Sequence, residues 1–226
     1  MINILTILIY QPILNLTVFL YATVGFRDLG VAIIAMTVLI RALLLPLSLK
    51  TARSQRAMAQ LAPDIEKLKE VHKGNTAKQS EAVMSLYKEK GVSPLGGCLP
   101  MLLQIPILIG VYRVFLNIFK PESLNLLYSF VPHPASINHI MLGVLDISKS
   151  NPVLAILAGV TQFFQARAAM ANQPKSPQTA ALNTQMMYLL PVMIIVISWN
   201  LPAGLALYWI ATSLWSIGEQ LYLSRR

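Results

Sequence analysis

The sequence predicts an all-α integral membrane protein in which five transmembrane helices enclose a polar groove and carry a helical hairpin on the cytoplasmic side. Three observations lead there. Of the 226 residues, 55% are hydrophobic and only 12% charged, and the mean hydropathy of +0.60 lies far above that of an ordinary soluble domain. Several windows reach the ~20 apolar residues that a transmembrane helix needs, with short polar segments between them. The formal charge of +9 is clustered rather than spread, and the clustering sets an orientation.

The N-terminal stretch MINILTILIYQPILNLTVFLY, residues 1–21, is apolar enough to suggest a span or a signal peptide. No Lys or Arg precedes Arg27, so the positive n-region of a signal peptide is missing. Asn3, Gln11, Pro12 and Asn15 interrupt the run, which suits a helix lying in the outer interface better than one crossing the bilayer. The five spans follow at residues 29–49, 100–119, 152–169, 182–199 and 202–223. Between the first two lie Lys50, Arg53, Arg56, Lys67, Lys69, Lys73, Lys78, Lys88 and Lys90, and a short segment this basic belongs in the cytoplasm. Alternation then places the 120–151 loop outside. Arg167, Lys175 and the terminal Arg225 and Arg226 fall inside, with the N-terminus out and the C-terminus in.

The cytoplasmic segment 51–92 has a pattern of its own. Met58, Leu61, Ile65 and Leu68 are spaced as one helix face, and Ala77, Ser80, Met84 and Tyr87 repeat that spacing after KGNT. Two amphipathic arms joined near Gly74 and Asn75 are expected, extending roughly 25–30 Å. They fit a soluble coiled-coil spacer or a docking arm for a ribosome, a targeting factor or a substrate. The hairpin's charge reads as topology plus contact with anionic lipid or a ribosome, since it lacks the interleaved aromatics of single-stranded nucleic-acid sites. No direct DNA binding is expected.

Within VLIRALLLPLSLK, Arg41 breaks a segment whose only other polar side chain from Val31 to Leu47 is Thr37. It lies about 12 Å of helix from the cytoplasmic end of its span, a long way for a side chain to snorkel. A central arginine costs about 2.5–3.5 kcal/mol on insertion scales, so it should face protein or water. Apart from Glu219, toward the inner end of the last helix and the nearest carboxylate, no Asp or Glu falls inside any span. A water-filled cavity open to the cytoplasm is therefore favoured over a structural salt bridge. Gln104, Thr161, Gln162, Gln165, Gln185, Thr212 and Ser213 are further intramembrane polar groups that support a cavity. Each alone fits interhelical hydrogen bonding; their coincidence with an unpaired arginine suggests a site. Pro46, Pro100, Pro106 and Pro191 imply irregular helices that leave room for one. Trp199 fits an outer interface anchor, whereas Trp209 is placed to pack inside the bundle or against a guest helix. Asn200 and Pro202 read as a tight outer turn.

Covalent chemistry finds no support. His72, His133 and His139 are remote from any intramembrane nucleophile or acid, and no HExxH, GxSxG or phosphate-cradling glycine loop occurs. The lone Cys98 excludes a disulfide framework or a multi-cysteine metal site. No cofactor is expected. An anion transporter with Arg41 as counter-charge is an alternative, although no internal repeat accompanies it; a structural scaffold would leave Arg41 without a purpose.

Taken in order, IRALLLPLSLK, LYKEKGVSPLGGCLPMLLQIPILIGVY, GVTQFFQAR, MMYLLPVMI and LPAGLALYW closely resemble the YidC-type membrane protein insertases, from about Tyr10 to the C-terminus. The resemblance implies a five-helix core, a cytoplasmic coiled-coil hairpin, and a hydrophilic groove open to cytoplasm and lipid but closed to the outside, in a bacterial plasma membrane. The family's groove arginine matches Arg41. Groove positions in the third and last spans match Gln165, with Gln162 as a one-turn alternative, and Trp209. The implied partners are nascent membrane proteins and the ribosome, with the Sec translocon and the signal recognition particle pathway as further candidates. The pattern is that of a short form without a large periplasmic domain, without the lipoprotein cysteine of some relatives, and with a tail ending LSRR rather than a long basic extension.

Overall fold

The structure, a computed structural model, describes residues 6–92, 99–170 and 177–224, apart from the side chains of residues 99–103, 177–184, 186 and 224. Asn3, Cys98, Lys175, Arg225 and Arg226 lie outside the described residues, as does the side chain of Pro100.

A π-helical turn, Thr6–Tyr10, runs into α1, Gln11–Ala22. The polar side chains that interrupt this apolar stretch are satisfied by the 120–151 loop. Gln11 and Asn15 both donate to the Leu126 carbonyl, at 3.0 and 3.1 Å, and Asn15 accepts from the Tyr128 amide at 2.6 Å. Thr17 turns its hydroxyl back to the Ile13 carbonyl at 2.7 Å. Near the other end, the Tyr21 hydroxyl accepts from the Asn138 amide at 2.9 Å. Both ends of α1 therefore touch the 120–151 loop, while Ile13, Leu14 and Val18 are buried against the bundle.

The chain reverses at Phe26 and Arg27, both with positive φ, and Asp28 caps α2, Leu29–Gln60, by accepting from the Val31 amide at 3.1 Å. α2 starts where the sequence places its first span, but continues past Leu49 because the charges from Lys50 onward end the apolar run without ending the helix. At 32 residues it is about 48 Å long. It stops before Pro63, whose missing N–H cannot bond to the Ala59 carbonyl.

The hairpin arms are α3, Ala62–Val71, and α4, Thr76–Glu89. Gly74, at φ +91°, supplies the left-handed turn residue, and Asn75 caps α4 by accepting from the Lys78 amide at 3.0 Å. Gln79 donates to the carbonyls of Lys69 and His72 at 3.0 and 3.2 Å, closing the end of α3. Two expectations change here. The arms are about 15 and 21 Å long rather than 25–30 Å, since α2 claims the residues up to Gln60. On α4, Ala77, Ser80 and Met84 are exposed, and of the expected face Tyr87 is partly covered, beside Gln79, Ala82, Val83 and Leu86. The covered face is thus shifted by about one residue from the expected stripe, with the same spacing.

α5, Leu99–Asn117, leads into a short helix α6, Pro121–Leu124, and a two-stranded hairpin, β1 Ile140–Met141 with β2 Leu145–Asp146, paired Ile140 to Asp146. Then come α7, Pro152–Met170, α8, Pro177–Trp199, and α9, Ala203–Ser224. The turn 200–202 precedes α9, and the loop caps that helix: the Ala203 and Gly204 amides donate to Lys149 and Ile147 carbonyls at 2.8 and 3.1 Å. The Leu142 amide reaches Asp28 at 2.6 Å, so the same loop also covers the start of α2.

α7 packs most extensively on α8 and α9, and α2 on α9 and α1. At Gly159 a Cβ would come within 2.3 Å of the Ile195 side chain and 3.0 Å of the Pro191 carbonyl, so the glycine permits the close α7–α8 approach. Away from these seams α7 exposes Val153, Ile156, Leu157, Val160 and Phe164, and α8 exposes Tyr188, Leu189, Val192, Met193 and Val196. Apolar surface this continuous needs an apolar solvent. Among the described residues, Leu29–Gln60 and Pro152–Met170 are long and apolar enough to cross a membrane.

Candidate functional site

The interior of the bundle is apolar toward the 120–151 loop and polar toward the hairpin. Leu14, Leu29, Ile33, Met36, Val111, Phe115 and Leu205 form a core that excludes solvent. One turn beyond Met36 and Thr37 the character changes. Arg41, half-buried on α2, donates from its guanidinium to Gln104 Oε1 on α5 at 3.2 Å. Gln104 Nε2 in turn donates to the Tyr208 hydroxyl on α9 at 2.9 Å. Three helices are thereby joined by one hydrogen-bonded chain that begins at a fixed charge. An amide suits the central position because it accepts from the cation and donates onward.

No carboxylate pairs with Arg41 among the described residues. Glu219 is taken by Ser48, whose hydroxyl donates to Glu219 Oε1 two helical turns nearer the hairpin. Thr37, Arg41, Leu44, Ser48 and Thr51 share one face of α2, and Tyr208, Thr212 and Glu219 share the facing side of α9. A cleft of about 30 Å³ opens beside Arg41, lined by Leu44, Leu47, Ser48, Thr51, Gln104 and Ile107. It has room for about one water, which is far narrower than the groove expected from the sequence.

A second polar seam lies between α7 and α9. Ser213, fully buried, donates to Gln162 Oε1 at 3.3 Å. Gln165 Oε1 and the Thr212 hydroxyl are buried, and Thr212 lies within hydrogen-bonding reach of the Tyr208 hydroxyl, which links this seam to the Arg41 side. Thr161 returns its hydroxyl to the Leu157 and Ala158 carbonyls at 2.9 and 3.0 Å and is self-satisfied. Gln185 is exposed on α8 and joins neither seam. Trp209 is half-buried and packs between the two apolar clusters, on the α7 side of α9.

The structure thus brings Arg41 and Gln104 together and sets Gln162, Gln165, Thr212 and Trp209 on or beside the neighbouring seam. Tyr208, Ser48 and Glu219 complete the Arg41 side; of these the sequence reading named only Glu219 there, as the carboxylate nearest to Arg41. The signal was present as spacing: Arg41 and Ser48 are two turns apart on α2, and Tyr208, Thr212 and Glu219 recur on one face of α9.

A helical bundle with exposed apolar sides, a dry end, and a polar end around an arginine that has no ion-pair partner among the described residues fits a transmembrane helical protein. The chain belongs to the 60Kd inner membrane protein family, whose sequence model matches residues 19–226. It is 37% identical over 197 residues to the membrane protein insertase MisCA of Bacillus subtilis, covering 84% of this chain and 68% of that protein. It is 35% identical over 219 residues to the membrane protein insertase YidC of Magnetococcus marinus, covering 96% of this chain and 35% of the relative. A crystal structure of an active YidC insertase with its first transmembrane domain resolved aligns with a TM-score of 0.62 at 24% identity, over 96% of this chain and 46% of that one. The chain therefore spans about two thirds of the Bacillus relative and little more than a third of the Magnetococcus one.

Proposed function

We propose that this protein is a membrane protein insertase that admits hydrophilic termini of nascent membrane proteins beside Arg41 and releases their apolar segments into the bilayer. The observation that carries the reading is a half-buried arginine, held by Gln104, with no carboxylate partner among the described residues. Its position between a sealed apolar end and an open polar end favours entry from the hairpin side. In the proposed topology α2, α5, α7, α8 and α9 cross the membrane, the Thr6–Ala22 stretch lies in the outer interface, and the hairpin and C-terminus are cytoplasmic. The basic residues between Lys50 and Lys90 support that orientation.

The mechanism is electrostatic and needs no covalent step. An acidic terminus approaching Arg41 to about 5 Å, at an effective dielectric near 20, gains about 3 kcal/mol. That is enough to draw it in and too little to hold it. Opening the cleft requires α2, α5 and α9 to separate, which exchanges the Arg41–Gln104–Tyr208 bonds for bonds to substrate and water. The apolar segment then partitions into lipid along the exposed sides of the bundle, and the membrane potential acting on acidic residues assists translocation of the terminus. The charged hairpin would meet the ribosome, the signal recognition particle pathway or anionic lipid, and a Sec translocon would act alongside. Reconstituted vesicles charged with a single-span substrate carrying an acidic N-terminal tail test the reading. Arg41→Lys is expected to keep much of the insertion and Arg41→Ala to lose it by up to about a hundredfold, the factor equivalent to 3 kcal/mol. Equal insertion by Ala and wild type would remove the electrostatic step.

A further inference from the structure

A second arginine lies in an otherwise apolar helix and has no part in the insertion mechanism. Arg113, half-buried near the outer end of α5, makes no hydrogen bond or ion pair through its guanidinium among the described residues. It lines a cleft of about 490 Å³ between the Thr6–Tyr10 turn, α5 and the start of the outer loop, with Tyr10, Tyr112, Asn117, Lys120 and Glu122. Asn117 donates to the Arg113 carbonyl at 2.8 Å and accepts from Lys120 Nζ at 2.9 Å, so the lysine is held over the same space. Two cations and one carboxylate face the cleft, leaving it with an excess positive charge, and two phenol groups stand beside them.

An apolar track leads from this cleft along α5. Ile105, Ile109, Tyr112 and Leu116 are 46, 41, 38 and 41% exposed and recur at helical spacing on one face. Ile7 and Leu8, 49 and 69% exposed, flank the cleft from the N-terminal turn. A cationic, hydroxyl-lined cleft at the head of an uncovered apolar stripe matches an amphiphile with an anionic head and hydrocarbon tails. A soluble anion would leave the stripe unexplained, and an apolar helix would leave the two cations desolvated and unpaired.

We propose that this cleft binds the phosphodiester headgroup of an anionic outer-leaflet phospholipid, with phosphate against Arg113 and Lys120, the Tyr10 and Tyr112 hydroxyls beside it, and an acyl chain along Ile105, Ile109 and Leu116. The bound lipid would clamp the N-terminal turn to the helix that carries Gln104, and so steady the Arg41 site from the opposite end. The proposal rests on the outward placement of the 120–151 loop. Labelling Val144→Cys with a membrane-impermeant maleimide added outside tests that placement separately.

Native mass spectrometry of the full chain released from nanodiscs containing equal phosphatidylglycerol and phosphatidylethanolamine tests the site. Wild type is expected to retain phosphatidylglycerol preferentially. Arg113→Gln with Lys120→Gln is expected to lower that retention about tenfold, in line with two charge contacts to a phosphate. Arg27→Gln with Lys149→Gln makes the same charge change at exposed positions that do not line the cleft and is expected to leave retention unchanged; Arg113→Lys should restore most of it. Should the double variant not fold, Lys120→Gln alone, on an exposed side chain, gives the smaller loss of a single contact. Equal retention across all variants, an equal loss in the Arg27 and Lys149 pair, or equal retention of phosphatidylethanolamine in wild type would each overturn the assignment. So would displacement of the lipid by soluble glycerol phosphate at equal concentration.

Discussion

The two halves of α2 sit in opposite environments. From Leu29 to Met36 the inward side chains Leu29, Ala32, Ile33 and Met36 are at most 1% exposed. From Arg41 to Lys50 no side chain is fully buried, and the inward face offers Arg41, Ser48 and then Thr51. The same helix therefore stabilises the bundle by apolar packing at one end and gives up that packing at the other to hold polar groups. The dry end can afford no charge; the polar end is arranged around one.

The strongest way to break this contrast is to move the charge. Ile33→Arg puts a guanidinium into the sealed core with no partner, and we expect a loss of several kcal/mol, read as failure to accumulate in the membrane in a protease-resistant form. A stable Ile33→Arg protein would mean that water reaches the outer core. Within the polar end, Gln104→Leu removes both bonds that tie Arg41 to Tyr208 and leaves the cation without its acceptor. The expected cost is about 1–3 kcal/mol in thermal unfolding, while Gln104→Glu, which supplies an ion-pair partner, should instead raise the melting temperature and slow insertion of acidic tails. If Gln104→Glu inserts such tails as well as wild type, an unpaired Arg41 is not what the site requires.

The smallest effect is expected outside the bundle. Ser148 donates its hydroxyl to Asp146 at 2.6 Å and its amide at 3.0 Å; the hydroxyl first, then the amide and Lys149, holds this partly exposed carboxyl below its usual range. A carboxylate with a lowered value contributes stability above its unfolded value and loses it as pH falls through the lowered one. Asp146→Asn should therefore lower stability slightly at neutral pH, leave it unchanged at pH below the lowered value, and so flatten the acid limb of the unfolding profile. An equal loss at both ends of the profile would show that Asp146 acts through something other than its charge.

The helices were legible because length and hydropathy mark them, and Arg41 was legible because a lone charge in an apolar run must be explained. What escaped the sequence was pairing between distant segments. Nothing local announces that Gln104 bridges to Tyr208, that Ser48 occupies Glu219, or that the interruptions at Gln11 and Asn15 are answered at Leu126 and Tyr128. The extension of α2 to Gln60 escaped because hydropathy reports solvent, and helices continue through charged residues. The covered face of α4 escaped because stripes one residue apart share the same spacing, and spacing alone does not choose between them.

The most direct measurement places a photo-crosslinking residue at position 41 and presents ribosome-bound nascent chains of increasing length, each a single span with an acidic N-terminal tail. A crosslink that appears only at intermediate lengths is the expected result, because the terminus must reach the polar end and then leave it for lipid. Absence of the crosslink at every length, with the protein folded in the membrane, would contradict the account and leave Arg41 with a role other than receiving substrate.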